Sequence, residues 1–482
     1  MSYLELLKLA SPEATVVLTA LVVLAIGLTS AKAAKISSFV AVIGLAVAIG
    51  AVLMLPGKAT LFSSMLMITP LTSLFKIILL ILAAITILLA PPTLPHRSEF
   101  LAILLLATIG LMLLVGSEEL LMIFIGLELT GLSLYVMTAF DKSDQRSAEA
   151  GLKYFLFGST ASAFTLFGLS LIYGMAGTTG LAAIAEKLSG APAPPLLAAG
   201  VVMTLVGFGF KIAAAPFHLW APDTYQGAPI ASAAFIASAS KVGSFVVLGK
   251  ILLVGFAPLA GRAEWHGAIA GWTPIVAALA AASIVLGNLV ALAQTNVRRL
   301  LAYSAIAHGG YTLLGLVSTG RDGFSATLFY TTIYALTLLG AFGVVGFVRR
   351  ETGGDDLRHF AGLSARSPLL AGCMAIFMLS LAGLPPLVGF FGKFYLFSAA
   401  ARAGGNYGLV WLVALALFGS LISLYYYLTI LKAIFAQAPM SDVTVGRRDF
   451  VSQFTVAALA FAVLFLGILP ETLVRLINRS LL

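Results

Sequence analysis

Cysteine is almost missing from this chain. Cys373 stands alone among 482 residues, which excludes an intramolecular disulfide, a CxxC redox pair and any cysteine-ligated iron–sulfur cluster. Charge is scarce as well: Asp, Glu, Lys and Arg make up 10% of the residues, against about 25% in a typical soluble domain. No stretch longer than about 35 residues is polar enough to fold alone in water, so a separate soluble domain is excluded. A nucleotide-binding loop is also missing, because Gly389-Phe390-Phe391-Gly392-Lys393 lacks both the Walker spacing and the following Ser or Thr. The five histidines show no metal-ligand spacing, with neither HxxxH nor HExxH. A net charge of +9 and a pI near 9.6 would suggest nucleic acid in a soluble protein. Here the basic residues form no single arm or face, and no nucleic-acid partner is expected.

What the chain has instead is apolar length: 60% of its residues are hydrophobic and its mean hydropathy is +1.06. A spanning helix needs about 20 predominantly apolar residues. Reading for apolar runs punctuated by Pro, Gly and charge yields fourteen segments, with cores at 14–30, 37–55, 69–90, 99–115, 119–140, 148–174, 196–215, 229–256, 273–294, 298–318, 323–348, 368–400, 406–435 and 451–469. The expectation is an all-α integral membrane protein of about fourteen transmembrane helices. The first segment lies too far from a basic region, and lacks a small-residue cleavage site, to be a removed signal peptide.

Alternate loops differ in basic charge. One set holds Lys32, Lys35, Arg97, Lys142, Arg146, Arg298, Arg299, Arg349, Arg350, Arg358, Arg366, Arg447 and Arg448; the other, with both termini, holds only Lys8, Lys58, Lys187, Arg262, Arg321, Arg402, Arg475 and Arg479. The richer set is expected to face the cytoplasm, leaving both termini outside. The remaining basic residues are all lysines within apolar segments: Lys76, Lys153, Lys211, Lys241, Lys250, Lys393 and Lys432.

Two segments are broken. The run 368–400 would extend roughly 50 Å as one helix at about 1.5 Å per residue, and Gly383, Pro385 and Pro386 divide it. Segment 7 carries Gly207, Gly209 and Pro216 around Lys211. Two interrupted helices five segments apart point to an inverted repeat with its site near the midplane. Segments 4–8 and 9–13 are therefore expected to be related halves with broken helices 7 and 12. The chain then divides into an N-terminal three-helix part (1–98), a first five-helix repeat (99–256), a second repeat (257–435) and a C-terminal helix (436–482).

A charge at the bilayer centre costs about 2.5–3.5 kcal/mol or more, so each one needs a reason. Counted from the apparent helix starts, Glu128 and His308 lie about 15 Å deep and Lys241 about 18 Å. Lys211 and Lys393 join them at the two breaks, where unwound backbone offers carbonyl partners and room for water. Glu128, Lys211, Lys241, His308 and Lys393 thus form a lateral row. Burial disfavours a charged lysine and a nearby carboxylate favours it; arginine cannot give up its proton. The choice of lysine throughout fits proton handling better than anion binding. Lys153, four residues after Glu149, is a secondary candidate or one half of a local pair. His218, just past Pro216, is a structural contact or a relay. Lys250, Lys432 and Lys76 are read as interfacial, snorkelling lysines, and Glu118 and Glu119 as acidic residues opening a helix.

These residues sit in runs that resemble a known family. Gly207 to Pro229 reads GFGFKIAAAPFHLWAPDTYQGAP, Gly126 to Leu129 GLEL, Asn296 to His308 NVRRLLAYSAIAH and Leu384 to Lys393 LPPLVGFFGK. All four resemble the antiporter-like subunits of respiratory complex I, strongly over about residues 100–435. The chain is most similar to the subunit N branch: PDTYQGAP is typical of it, subunit M usually has Glu where Lys393 stands, and the long lateral helix of subunit L does not follow segment 14. Two departures stand out: Met67-Ile68-Thr69-Pro70-Leu71 lacks the acidic residue many relatives carry there, and Gly309 replaces a larger residue.

The resemblance implies a non-redox subunit of a proton-translocating NADH–quinone oxidoreductase. Channel roles fall on Glu128, Lys211, Lys241 and Lys393, with His308, Lys153 and His218 secondary. No cofactor or metal is expected on this chain; NADH, flavin, iron–sulfur clusters and quinone belong to other subunits. Its partners would be the other membrane-arm subunits, the lipid bilayer, protons and water. The location implied is the inner (cytoplasmic) membrane of a bacterium, or an organelle membrane in a eukaryote. The alternatives are a subunit of a multisubunit sodium/proton antiporter, which shares the motifs, and a stand-alone substrate transporter, for which no substrate motif is present.

Overall fold

In hydrocarbon every backbone N–H and C=O must be satisfied within the protein, and a helix does this within one segment. The computed structural model describes residues 3–29, 34–62, 65–190, 194–403, 408–439 and 449–481. Among these, twelve helices are long and apolar enough to cross a membrane, and two shorter apolar ones, Pro195–Lys211 and Pro368–Ala382, sit where segments 7 and 12 are broken. Each of the fourteen expected segments has a helix. Lys32, Arg447 and Arg448, used above for orientation, lie outside the described residues, as does the side chain of Lys35.

Segment 12 becomes two helices, Pro368–Ala382 and Val388–Arg402. The first ends because Gly383 adopts φ +88°, a left-handed conformation that suits a residue without Cβ, and Pro385-Pro386 cannot continue the helix. In segment 7 the helix Pro195–Lys211 gives way to a turn and then to the short helix Trp220–Gly227. Both breaks fall in the fourth helix of a five-helix run. Equivalent helices are five spans apart, an odd offset, so they cross the membrane in opposite directions.

Several elements were not legible as apolar runs. A two-stranded antiparallel hairpin pairs Ala59–Leu61 with Leu66–Ile68, and short helices occupy Tyr3–Leu9, Leu181–Leu188 and Glu471–Ser480. Segment 8, Ile230–Gly255, contains π-helical turns at Ile236–Ser240 and Ile251–Gly255. Burial is uneven. Segments 8, 10 and 11 are almost wholly enclosed, whereas Ser11–Thr29 and Gln145–Ala176 expose much of their apolar surface, as lipid-facing helices do.

Two expectations are corrected. Lys76 and Lys250 do not snorkel to water. Lys76 is buried and its Nζ lies 2.6 Å from Glu13. Lys250 is buried, 3.3 Å from Glu118, and donates to the Val115 carbonyl at 2.9 Å. Carboxylates on neighbouring elements hold these ammonium groups inside, where sequence reading had supplied only a route to water. Lys432, by contrast, is exposed. Segment 5 also begins later than Glu118: the helix is Leu120–Thr138, and Glu119 caps it by accepting from the Leu121 and Met122 amides at 3.1 and 2.8 Å. Glu118 is the free partner left to pair with Lys250.

Candidate functional site

Lys211 is the last residue of its helix. Beyond it Ala213 takes φ +58°, and Trp220 Nε1 donates to the Phe210 carbonyl at 3.0 Å, satisfying one acceptor that the interruption leaves open. Glu128 accepts from Ser162 Oγ at 2.5 Å. The two ionisable groups face a cavity of about 20 Å³, also lined by Tyr135, Ser162 and Thr165. That volume holds about one water, and the lining supplies the polar partners it needs.

Lys241 follows a π-helical turn, a local widening that recurs at functional sites. Its Nζ donates to the Ala305 carbonyl at 2.7 Å and lies 5.9 Å from the centre of the Tyr334 ring. His308, one turn along from Ala305, places Nδ1 2.6 Å from Tyr330 Oη and Nε2 2.9 Å from Tyr427 Oη. A neutral imidazole needs one donor and one acceptor. Hydroxyls serve as either, so this cage accepts both tautomers.

Lys393 lies beside the break in segment 12. Its Nζ donates to the Ala382 carbonyl at 2.9 Å, an acceptor exposed by the end of the first half-helix, and to Ser420 Oγ at 2.7 Å. It stands 5.3 Å from the centre of the Tyr311 ring. Tyr311 Oη accepts from Asn288 Nδ2 at 2.9 Å, and Tyr426 Oη donates to Asn288 Oδ1 at 3.1 Å. Ser304 and Tyr427 share a further hydrogen bond of 2.5 Å. The space between Lys241 and Lys393 is therefore occupied by hydroxyls and one amide. Sequence reading missed this belt because tyrosine in an apolar helix looks like core; the signal available was the grouping Tyr425, Tyr426, Tyr427 and the spacing Tyr330, Tyr334.

Lys153 is placed elsewhere. It is part-exposed and bridges Glu149 at 2.6 Å and Asp223 at 2.8 Å, with Arg299 on the other Asp223 oxygen at 2.6 Å. This ion cluster ties segment 6 to the short helix after the break and to the start of segment 10. His218 is buried in the turn past Pro216, with Nδ1 unpartnered. Nearby, Asp355 is held by Arg298, by Asn296 Nδ2 at 2.7 Å and by Arg349 at 3.0 Å. Burial pushes its carboxyl up, but the Arg298 charge, the Asn296 hydrogen bond and Arg349 together hold it below the usual carboxylate range. Gly309 has room beside it: an added Cβ would meet only the Ile212 carbonyl, at 3.5 Å. Among the described residues no group of three or more His, Cys, Asp or Glu is placed to hold a metal ion.

Among the described residues, fourteen apolar helices, two of them broken beside a buried lysine, with further ionisable groups between, define a multi-span membrane protein of the antiporter-like class. Residues 117–423 match the family described as NADH:quinone oxidoreductase/Mrp antiporter, transmembrane. The chain belongs to that family, and its near-full-length relatives group it with the subunit N members. It is 45% identical to NADH-quinone oxidoreductase subunit N 2 of Acidobacterium capsulatum, over 98% of this chain and 99% of that one. It is 39% identical to NAD(P)H-quinone oxidoreductase subunit 2 of a Synechocystis species, over 90% and 83%. Among solved structures it is similar to a chain of respiratory complex I from Thermus thermophilus with bound aureothin, at 34% identity and TM-score 0.79, covering 96% of this chain and 98% of that one. A chain of the Mrp complex from a Dietzia species shares the fold at 20% identity and TM-score 0.83, over 97% and 96%.

Proposed function

We propose that this chain is a membrane-arm subunit of an NADH–quinone oxidoreductase, and that it passes protons along Glu128, Lys211, Lys241, His308 and Lys393 while quinone is reduced elsewhere in the complex. One contrast carries the reading. Lys76 and Lys250 are buried with a carboxylate each, whereas among the described residues Lys241 and Lys393 are buried with hydroxyls, aromatic faces and main-chain carbonyls only. A buried ammonium without a countercharge is costly, and giving up its proton removes the cost. Such a group changes protonation when a neighbouring charge moves, which a paired lysine resists. The first pair of the row, Glu128 and Lys211, is separated by space for a water rather than by a direct bond, which suits transfer better than a fixed pair.

On this reading the chain holds no NADH, flavin, iron–sulfur cluster or quinone itself, and other subunits of the membrane arm pack beside it so that their ionisable rows join. The arginine-rich face lies in the cytoplasm and both termini outside, in the inner membrane of a bacterium. The division into residues 1–98, 99–256, 257–435 and 436–482 follows the two breaks. Lys153 belongs to the surface ion cluster rather than the row, and His218 lines the turn beside Lys211.

The test is Lys211→Ala and Glu128→Ala in the whole complex, reconstituted into vesicles. Assembled complex with lowered proton pumping and lowered coupled quinone reduction is expected, because a coupled machine stalls when one transfer fails. Full pumping by the Lys211→Ala complex would overturn the reading.

A further inference from the structure

The break beside Lys211 is not held by segment 7 alone. Past the end of the helix, the Ile212, Ala213 and Ala214 amides find carbonyls within the segment, at Phe208, Phe210 and Gly209. The next amide, that of Ala215, reaches outside it and donates to Ser283 Oγ on segment 9 at 2.8 Å. Ser283 is fully enclosed, and its own hydroxyl hydrogen goes to the Leu279 carbonyl at 2.6 Å. A buried main-chain amide without an acceptor is costly, so this hydroxyl fixes where the turn can sit.

Segment 9, the helix Trp272–Leu292, carries no ionisable side chain, yet it meets the surroundings of three members of the row. Five residues beyond Ser283, the enclosed Asn288 gives one amide hydrogen to its own helix, at the Ile284 carbonyl, and the other to Tyr311 Oη at 2.9 Å. Its Oδ1 accepts from Tyr426 Oη at 3.1 Å, and Tyr311 is the ring beside Lys393 Nζ. Around these two anchors the helix runs main chain to main chain against segment 10, which bears His308. A Cβ on Gly287 would stand 2.6 Å from the Ala307 amide nitrogen, and one on Gly310 2.8 Å from the Ala280 carbonyl oxygen. Packing that close leaves the two helices little room to slide.

We propose that Ser283 and Asn288 are positioning residues and that segment 9 is the strut between them, setting the break beside Lys211 in register with the Tyr311 ring beside Lys393. The inference rests on the function proposed above, which uses neither residue. Neither gains or loses a proton in it; each holds a group that stands beside one that does. Five residues apart on a helix, the two side chains point about 140° away from each other, so they do not act on one another directly. What joins them is the helix itself, pinned at one level to the turn of segment 7 and at the next to segments 10 and 13.

The test uses Ser283→Ala and Asn288→Leu in the whole complex, reconstituted into vesicles. Each should slow proton pumping about tenfold or more, since a misplacement of about 1 Å away from the chemistry can cost about 100-fold. Ser283→Thr keeps the hydroxyl and should restore most of the rate. Thr108→Ala removes a buried hydroxyl that bonds only within its own helix, to Leu104, and should pump like the parent. The double variant is the sharper measurement. Releasing either end frees the strut, so Ser283→Ala with Asn288→Leu should be no slower than the slower single variant, whereas two local effects at separate sites would multiply. Multiplied losses would overturn the strut. Parental pumping in Ser283→Ala, with Lys211→Ala stalled in the same assay, would overturn the positioning role and leave the row intact. If Ser283→Ala does not assemble, Ser283→Cys decides, because its thiol keeps the volume but accepts only weakly; pumping at the serine rate would overturn the role, and slowed pumping would support it. Normal pumping by Lys211→Ala would instead remove the parent reading.

Discussion

Gly383 is the position at which the backbone break and the Lys393 side chain meet, and Gly383→Ala tests whether the placement of Lys393 matters as well as its charge. With φ +88°, Gly383 closes the half-helix Pro368–Ala382. An alanine held in a left-handed conformation costs about 1–2 kcal/mol. Its Cβ would also stand 2.9 Å from Lys393 Cδ and 3.3 Å from Nζ, closer than packing allows, and overpacking adds about 1–3 kcal/mol. Together these give about 2–5 kcal/mol, relieved in part if the ammonium leaves the Ala382 carbonyl. That carbonyl would keep only Ser420 Oγ, at 3.4 Å. Gly372→Ala in the same half-helix is the internal control. Nothing lies within 4 Å of the added Cβ, and in a helix interior alanine is favoured over glycine by about 1 kcal/mol. Thermal midpoints of the purified complex, with dye-quench pumping in vesicles, should show Gly383→Ala destabilised and slowed toward the Lys393→Ala rate, and Gly372→Ala unchanged or more stable. If both alanine variants pump and melt alike, the packing of Lys393 against the break has no functional weight.

Two further outcomes follow from the same geometry. Lys393→Arg keeps the charge but cannot release the proton; pumping as poor as in Lys393→Ala is expected, and near-normal pumping would reduce Lys393 to a fixed charge. Asp355 titrates below its unfolded value, so its contribution to stability is complete above about pH 4 and drains away as pH falls through the folded value. Asp355→Asn leaves Arg298 buried without its countercharge and should cost about 3–5 kcal/mol at neutral pH. Thermal midpoints of variant and parent should converge in acid, and a gap that persists at low pH would count against the assignment.

The helices and their breaks were legible because both are written in local chemistry: apolar length for the spans, and Gly383, Pro385, Pro386 and Pro216 for the interruptions. The buried ionisable residues stood out because a charge within an apolar run is conspicuous. What pairs with each charge was not, since pairing depends on helices distant in sequence. Lys76 and Lys250 looked like interfacial lysines only because Glu13 and Glu118 lie 63 and 132 residues away. Lys153 showed the reverse: its neighbour Glu149 was readable at helical spacing, but Asp223, its second partner, was not. The tyrosine cage of His308 was hidden for a further reason, that buried tyrosine and buried phenylalanine contribute alike to an apolar pattern.

The pairs Glu13–Lys76 and Glu118–Lys250 bear on how the chain is made. In each, the carboxylate is the earlier residue and the lysine the later one. A growing chain therefore delivers each of these lysines to the membrane after its counterion has been synthesised. A lysine within an apolar span opposes insertion, by up to about 2.5–3.5 kcal/mol where it stands at the bilayer centre. Segment 3 can escape that opposition by docking on segment 1, and segment 8 by reaching the loop before segment 5. Insertion of these helices is thereby tied to their assembly with earlier ones, and the order of synthesis works as a scaffold for the fold.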